Sequence, residues 1–305
     1  MSFPKVFVCG ATGTQGGALI EKLVEHGSEI HAITRSIKSG IAQKLTSLGV
    51  ALTEGDFDNE ESLRKSIAGC TTLFLNLIPN HTNPTVELDQ AQRVLSIAKE
   101  SGVEHVIYTS ILGATNTKHM PHLDPNSLLG KMLSTKEAIE NEVRQANFAH
   151  WTILRPGNFM SNYLDPLVRM YQGLVETGTF TTAFSRETII RMVDPNDIGQ
   201  FAAAAAMHPV KFDRKEIEIM SETMRVEEVL RDLSAATGRD LKANFLSEEE
   251  LKEQIPRNPL LGAQIALRGM PQLVKPEQVK CWGIELGTFA RFLEREKARV
   301  EETYL

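Results

Sequence analysis

The segment Gly10-Ala-Thr-Gly13-Thr-Gln-Gly16 follows directly on a short apolar run at residues 6–9, and Gly17, Ala18, Ile20 and Leu23 open a helical pattern at once behind it. A strand that passes through three glycines at this spacing into a helix belongs to few folds. Gly10 permits the sharp turn, Gly13 lets the backbone approach a pyrophosphate, and Gly16 lets the helix lie close against the strand. The helix start then offers free N–H groups and the positive end of its dipole to phosphate. Thr12, Thr14 and Gln15 add side-chain donors at the same place. The segment implies a bound dinucleotide, against the plainer alternative of a glycine-rich strand–helix turn with no ligand.

The rest of the first half repeats the alternation. Short β-branched or apolar runs at 5–9, 29–33, 50–54, 72–77, 103–109 and 151–155 predict strands. Helical patterns at 15–25, 41–48, 60–67, 86–101 and 128–146 lie between them. Strand–helix–strand alternation with short connections predicts an α/β fold, a Rossmann-type doubly wound parallel sheet with helices on both faces. Ligands of such sheets bind beyond the carboxyl ends of the strands, at the switch point. Residues 1–155 are therefore expected to form the dinucleotide-binding domain.

Residues 156–305 are expected to form a smaller α+β part facing the substrate, with the segment around 190–207 packing back onto the first domain. Residues 157–190 are rich in Thr and broken by Pro and Gly, and read as an irregular excursion. Asp194 followed by Pro195 reads as an N-cap and first helical residue, and the helix runs on through the small side chains of Ala202 to Ala206. A strand at 215–220, a helix at 226–236 and a capping box at Ser247-Glu-Glu-Glu250 follow. The charged amphipathic tail at 284–302 predicts one closing helix.

Composition narrows the function classes. Apolar residues at 42% and charged residues at 24% describe a globular chain. A formal charge of −6, with no clustered Lys and Arg, argues against direct nucleic-acid binding. Cys9, Cys70 and Cys281 are odd in number and far apart, which points to a reducing compartment with no disulfide framework. No apolar run suggests a secretory signal or a membrane span, so the expectation is a cytoplasmic protein without membrane attachment.

The end of the second strand decides the nucleotide. A carboxylate there holds the ribose 2′-hydroxyl of NAD, whereas an arginine accommodates the 2′-phosphate of NADP. The chain reads Ile33-Thr34-Arg35-Ser36 with Lys38 close by, and no acid lies between Ile30 and Val50. NADP(H) is the expected cofactor, unless Arg35 is only a solvated strand-end residue. After the third strand, Gly55-Asp56-Phe57-Asp58 puts Asp56 on the adenine amino group with Phe57 beside the ring, or makes Asp56 a cap for the next helix.

These residues resemble the NmrA-like family, a branch of the atypical short-chain dehydrogenase/reductase superfamily. The resemblance rests on GATGTQGG, the arginine of ITRS, GDFD, LRPGNFMSNYL and VDPNDIGQFAAAA, and extends to about residue 240. It implies a Rossmann core with a small C-terminal domain and NADP(H) across the strand ends. By the same resemblance Gly10, Gly13 and Gly16 hold phosphate and Arg35 the 2′-phosphate. Asp56 and Phe57 line the adenine, Leu77 and Lys136 meet the cofactor, and Pro156, Asn158 and Phe159 flank the nicotinamide. Some members reduce natural-product or quinone-like substrates. Others have lost chemistry and act as nucleotide sensors bound to regulatory proteins.

Hydride transfer to a carbonyl needs a proton donor near the nicotinamide. The superfamily places a Ser at the end of the fifth strand and a Tyr four residues before a Lys on the next helix. Tyr108-Thr109-Ser110 supplies the Ser and Lys136 the Lys, but Met132 stands where the Tyr would be. Three outcomes follow. Lys136 serves alone or through a water, its pKa lowered by desolvation or a nearby positive charge. An acid arrives from elsewhere, with Tyr163 ahead of Tyr171 and packing as its competing role. Or the site binds cofactor without turnover.

Other sites are weaker. His119 and His122 sit on a loop with Pro121 and no third ligand, so no metal is expected. Ser110 has no Ser-His-Asp context, and no G-x-S-x-G elbow exists for a hydrolase. Asp197 reads as a first-turn acid that favours the helix dipole. The leading expectation is an NADPH-dependent reductase of a small apolar or aromatic carbonyl or conjugated compound, with Lys136 and Ser110 in the chemistry. A cofactor-responsive regulator of a protein partner is the rival. An epimerase or dehydratase on a nucleotide-sugar ranks third, for want of both the Tyr and an acid after strand two.

Overall fold

The structure, a computed structural model, describes residues 3–80, 83, 85–268 and 276–305. The first half runs β1 (Lys5–Val8), α1 (Thr14–Glu25), β2 (Glu29–Thr34), α2 (Gly40–Ser47), β3 (Ala51–Glu54) and α3 (Glu60–Ile67). It continues through β4 (Thr72–Leu75), α4 (Thr85–Glu100), β5 (His105–Thr109), α5 (Leu128–Gln145) and β6 (His150–Pro156). Beyond it come β7 (Asn158–Phe159), β8 (Thr179–Thr182), β9 (Ile190–Val193), α6 (Pro195–Met207), β10 (Lys215–Ile219), β11 (Glu222–Met224) and β12 (Lys242–Phe245).

The chain divides into two compact units. The first takes residues up to Ala114, Ser134–Pro156 and Ile198–Glu218. Its sheet has the strand order β10-β6-β5-β4-β1-β2-β3. β1 pairs parallel with β2 and β4, β2 with β3, β4 with β5 and β5 with β6. The order reverses at β1 and β4, which opens the crevice that a doubly wound sheet offers to a ligand. The expected Rossmann-type α/β fold is what the chain forms.

Burial explains why these segments are strands. All residues of β4 and β5 are buried, as expected for strands covered on both faces. One core cluster joins Phe7, Leu73, Leu75, Val106 and Tyr108 of the sheet to Val94 and Ile97 of α4 and Ile139 and Val143 of α5. In α1 the stripe Ala18, Leu19, Ile20 and Leu23 is buried. Gly199 of α6 lies against Ala18, where an added Cβ would come within 2.6 Å of the α1 backbone. α6 and α1 thus approach closely through Gly199. α5 is fastened to β6 and β10 by charge. Arg155 donates to buried Glu140 at 2.8 and 2.6 Å and to Glu216 at 2.5 Å, and Arg144 bonds the same two carboxylates.

The second unit takes Thr115–Leu133, Gly157–Asp197 and Ile219–Leu305, within the described residues. It holds a three-stranded sheet, β11-β9-β7, and the parallel pair β12-β8. Its core gathers Tyr163, Tyr171, Phe180, Met192, Leu233, Phe289 and Phe292. Residues 157–190 are therefore less irregular than expected. Thr179–Thr182 alternates half-buried and buried side chains, and its partner strand, Lys242–Phe245, lies some sixty residues away in the sequence. A four-residue strand with so distant a partner leaves little local signal.

Asp194 caps α6 as expected, accepting from Asn196 N–H at 2.9 Å, and Ser247 forms its capping box with Glu250. The tail differs from expectation. It is two helices, Phe289–Arg295 and Lys297–Tyr304, parted at Glu296. Arg295 is drawn onto Asp194 in a two-pronged ion pair at 2.8 and 2.9 Å, while Tyr304 donates to the Tyr163 carbonyl at 2.9 Å. These anchors lie far off in sequence, and amphipathic periodicity does not register them.

Candidate functional site

Gly10 takes a positive φ of 66°, and an added Cβ would sit 2.8 Å from the Asn76 amide nitrogen. A Cβ at Gly16 would run into the Gly10 carbonyl. Inside the turn Gly13 N–H donates to Gly10 O at 2.9 Å, and Gly17 N–H to Gly13 O at 2.8 Å. No side chain caps the first amides of α1, and its first turn carries no acid. Thr12, Gly13 and Thr14 are exposed. Uncapped amides on an open, acid-free turn fit an anionic pyrophosphate.

Gln15 departs from its expected place among the phosphate donors. Its Oε1 accepts from Thr109 Oγ1 at 2.5 Å, and its Nε2 donates to Asn76 Oδ1 at 3.2 Å. The side chain ties the turn to the ends of β4 and β5. Cys9 is fully buried beside the turn, and burial pushes its thiol up to about 12.

Arg35 follows β2 and is exposed, with no carboxylate pairing it among the described residues. Asp56 spends one oxygen on the loop, accepting from Asp58 N–H at 3.0 Å and Asn59 N–H at 3.1 Å. The cap of α3 is Asn59, which accepts from Ser62 N–H at 3.0 Å. Phe57 is half-buried against the core cluster, and its carbonyl accepts from Arg93 at 2.9 Å.

Beyond β4 the carbonyl of buried Leu77 accepts a long hydrogen bond of 3.5 Å from Lys136 Nζ. Lys136 also forms an ion pair with Glu87 Oε1 at 2.6 Å, the two side chains being only 6% and 2% exposed. The charge beside Lys136 is thus a carboxylate and not a second cation. The same ammonium lies 5.7 Å from the Tyr108 ring centre. Burial drives the Tyr108 phenol well above its ordinary range, with Glu87 and Glu140 adding to the shift. Ser110 Oγ is buried beside the Tyr108 phenol with no well-aligned hydrogen bond among the described residues, while its N–H donates to Leu154 O at 2.8 Å. Pro156 ends β6 and accepts from Leu112 N–H at 3.0 Å.

The remaining expected residues belong to the second unit. Asn158 and Phe159 form β7, which pairs with β9, and Asn158 accepts from Asn162 at 3.2 Å. Tyr163 is a core residue. Its ring packs at 5.1 Å from Tyr171 and 5.4 Å from Phe289, and burial holds its phenol far above the ordinary range. That placement corrects its reading as an acid and leaves the packing role. Asp197 is more than a dipole residue. It is buried and accepts from Ser221 Oγ at 2.5 Å and Gly287 N–H at 2.9 Å, and burial raises its carboxyl to about 6. Among the described residues no group of three or more His, Cys, Asp and Glu side chains is placed to hold a metal, and no helix is long and apolar enough to cross a membrane.

The sequence profile of the NmrA-like family matches residues 4–280. The chain belongs to that family. One relative, the NAD(P)H azoreductase of Xenophilus azovorans, is 26% identical over 251 residues, covering 81% of this chain and 79% of the relative. Among solved structures, the Citrobacter sp. triphenylmethane reductase complexed with NADP(H) superposes with a TM-score of 0.77 at 23% identity, over 95% of this chain and 99% of that one. NmrA itself, a negative transcriptional regulator in complex with NADP, superposes with a TM-score of 0.72 at 18% identity, over 100% and 96%. The fold is shared across an enzyme and a regulator, so the chemistry of this chain has to be argued from its own residues.

Sequence reasoning missed Glu87, Asn76 and Thr109. Glu87 had one legible signal. It occupies the buried stripe of α4 together with Ala91, Val94, Leu95 and Ala98, a place where a carboxylate demands a partner.

Proposed function

We propose that this protein is an NADPH-dependent reductase of a small apolar or aromatic compound bearing a carbonyl or conjugated group. One observation carries the reading: a buried Lys136 ammonium at the end of β4, with the buried hydroxyl of Ser110 following β5. The name of the NAD(P)H azoreductase relative supports a nicotinamide nucleotide and a reducible acceptor.

Gly10, Gly13 and Gly16, with the first amides of α1, hold the pyrophosphate, and Thr12 and Thr14 lend hydroxyls. Arg35 takes the 2′-phosphate by charge-assisted hydrogen bonds. Asp56 and Phe57 border the adenine, and Leu77 and Pro156 border the nicotinamide half. Bound NADPH supplies a hydride. Lys136 has three N–H donors. The Leu77 carbonyl accepts one, Glu87 holds the ammonium by charge, and a remaining N–H orients the ribose and delivers a proton through a water. Ser110 Oγ donates toward the substrate atom that gains charge.

Titration with NADPH and NADH, followed by nicotinamide fluorescence, is expected to show saturable binding that is tighter for NADPH. Quinones, enones, aryl ketones and azo dyes supplied with NADPH should then reveal turnover that Lys136→Ala abolishes. Unchanged turnover in that variant would remove Lys136 from the mechanism. A regulator that reports NADP(H) to a protein partner is the second reading, favoured by Met132 four residues before Lys136. It predicts saturable NADPH binding with no consumption on any acceptor.

A further inference from the structure

We propose that Glu87 is the positioning residue of the site, holding the Lys136 ammonium at the end of β4 for the nicotinamide ribose and the reacting substrate. The inference rests on the reading of Lys136 given above and adds a residue to it.

Glu87 stands at the head of the α4 stripe that continues with Ala91, Val94, Leu95 and Ala98. Lys136 lies in the buried stripe of α5, between Leu133 and the buried Ile139, Glu140 and Val143 at helical spacing. The charges meet at 2.6 Å where the two helices and the ends of β4 and β5 come together. A buried ion pair adds little to stability, because desolvation offsets much of its attraction, and two apolar side chains would fill such a place as well. The pair is therefore explained by what the ammonium does. A lysine on four methylenes has many rotamers, and a single 3.5 Å hydrogen bond to Leu77 O would not select one. Glu87 does select one. Its carboxylate pairs with Nζ by charge at 2.6 Å while the Leu77 carbonyl accepts the hydrogen bond, and Tyr108 walls the site with a ring 5.7 Å from Nζ. That phenol stays neutral, so it does not compete for the ammonium as an anion.

The test uses Glu87→Gln, Glu87→Asp, Lys136→Met and the double variant E87Q/K136M in the full chain. NADPH Kd by fluorescence, kcat and KM for the acceptor, and thermal melting are measured for each. Glu87→Gln is expected to lower kcat about 10²-fold and Glu87→Asp about tenfold, as misplacement by an ångström or so does. NADPH Kd should rise in the same order while acceptor KM stays within about twofold of wild type. The double variant should be no worse than Lys136→Met alone, since a residue that acts through Lys136 has nothing left to position. Should Glu87→Gln fail to fold, Glu87→Asp keeps the charge and carries the test. Wild-type kcat and NADPH Kd in a folded Glu87 variant, or additive losses in the double variant, overturn the proposal. Wild-type protein that binds no NADPH would instead overturn the functional reading beneath it.

Discussion

Thr109 Oγ1 donates to Gln15 Oε1 at 2.5 Å, joining the end of β5 to the first turn of α1. Thr109 is fully buried, so its hydroxyl depends on that single acceptor. Gln15→Ala is expected to lower unfolding stability by about 1–3 kcal/mol, the range for orphaning a buried polar group. Urea denaturation measures it. A loss under about 0.5 kcal/mol, the ordinary surface range, would mean that the turn does not need this tie.

Arg35 is exposed and forms no ion pair among the described residues, so its replacement should leave the fold alone. Arg35→Ala is expected to weaken NADPH binding by about 10- to 100-fold, the scale of one or two charge-assisted hydrogen bonds, and to leave NADH binding unchanged. Parallel fluorescence titrations decide it. Equal losses for both nucleotides would take the 2′-phosphate away from Arg35.

His105 gives the fold an acid weakness. Thr152 Oγ1 donates to the Phe212 carbonyl at 2.9 Å and so accepts from His105 Nε2 at 3.1 Å, which leaves Nδ1 buried and without a partner. Burial lowers the imidazole to about 3, with His150 adding to the effect and Asp213 opposing it. Unfolding restores a pKa near ~6.5. Between those limits the unfolded chain binds the extra proton, so stability falls as pH drops from about 6.5 toward 3, by up to ~1.4 kcal/mol per pH unit. His105→Gln should flatten this slope in urea titrations at pH 4.5 to 7.5.

Asp197 acts in the opposite sense. Its folded carboxyl titrates at about 6, against the ordinary 3.8, so between those values the folded state holds a proton that the unfolded chain releases. Stability contributed by the protonated form is lost as pH rises through that window. Asp197→Asn keeps an acceptor for Ser221 Oγ and Gly287 N–H and removes the titration. The stability of this variant relative to wild type should therefore increase from pH 4 to pH 7. A difference that stays constant with pH would show that burial of Asp197 carries no ionisation penalty.

The sequence by itself determined the local grammar of the chain. The glycine turn, the Asp194 cap, the Ser247 capping box and the alternation of strands and helices are each written within a few neighbouring residues, because dihedral preference and side-chain period act over that range. The places of Arg35 after a strand and of Lys136 on a helix were legible for the same reason. Tertiary structure decided what those residues meet. It drew Gln15 away from the phosphate turn to Thr109, put Tyr163 among aromatic rings, parted the tail at Glu296 and brought Glu87 to Lys136 across 49 positions of sequence. Buried charges and hydroxyls take whatever partner the packed core brings within reach. That choice depends on how α4, α5 and the strand ends come together, which no local pattern encodes.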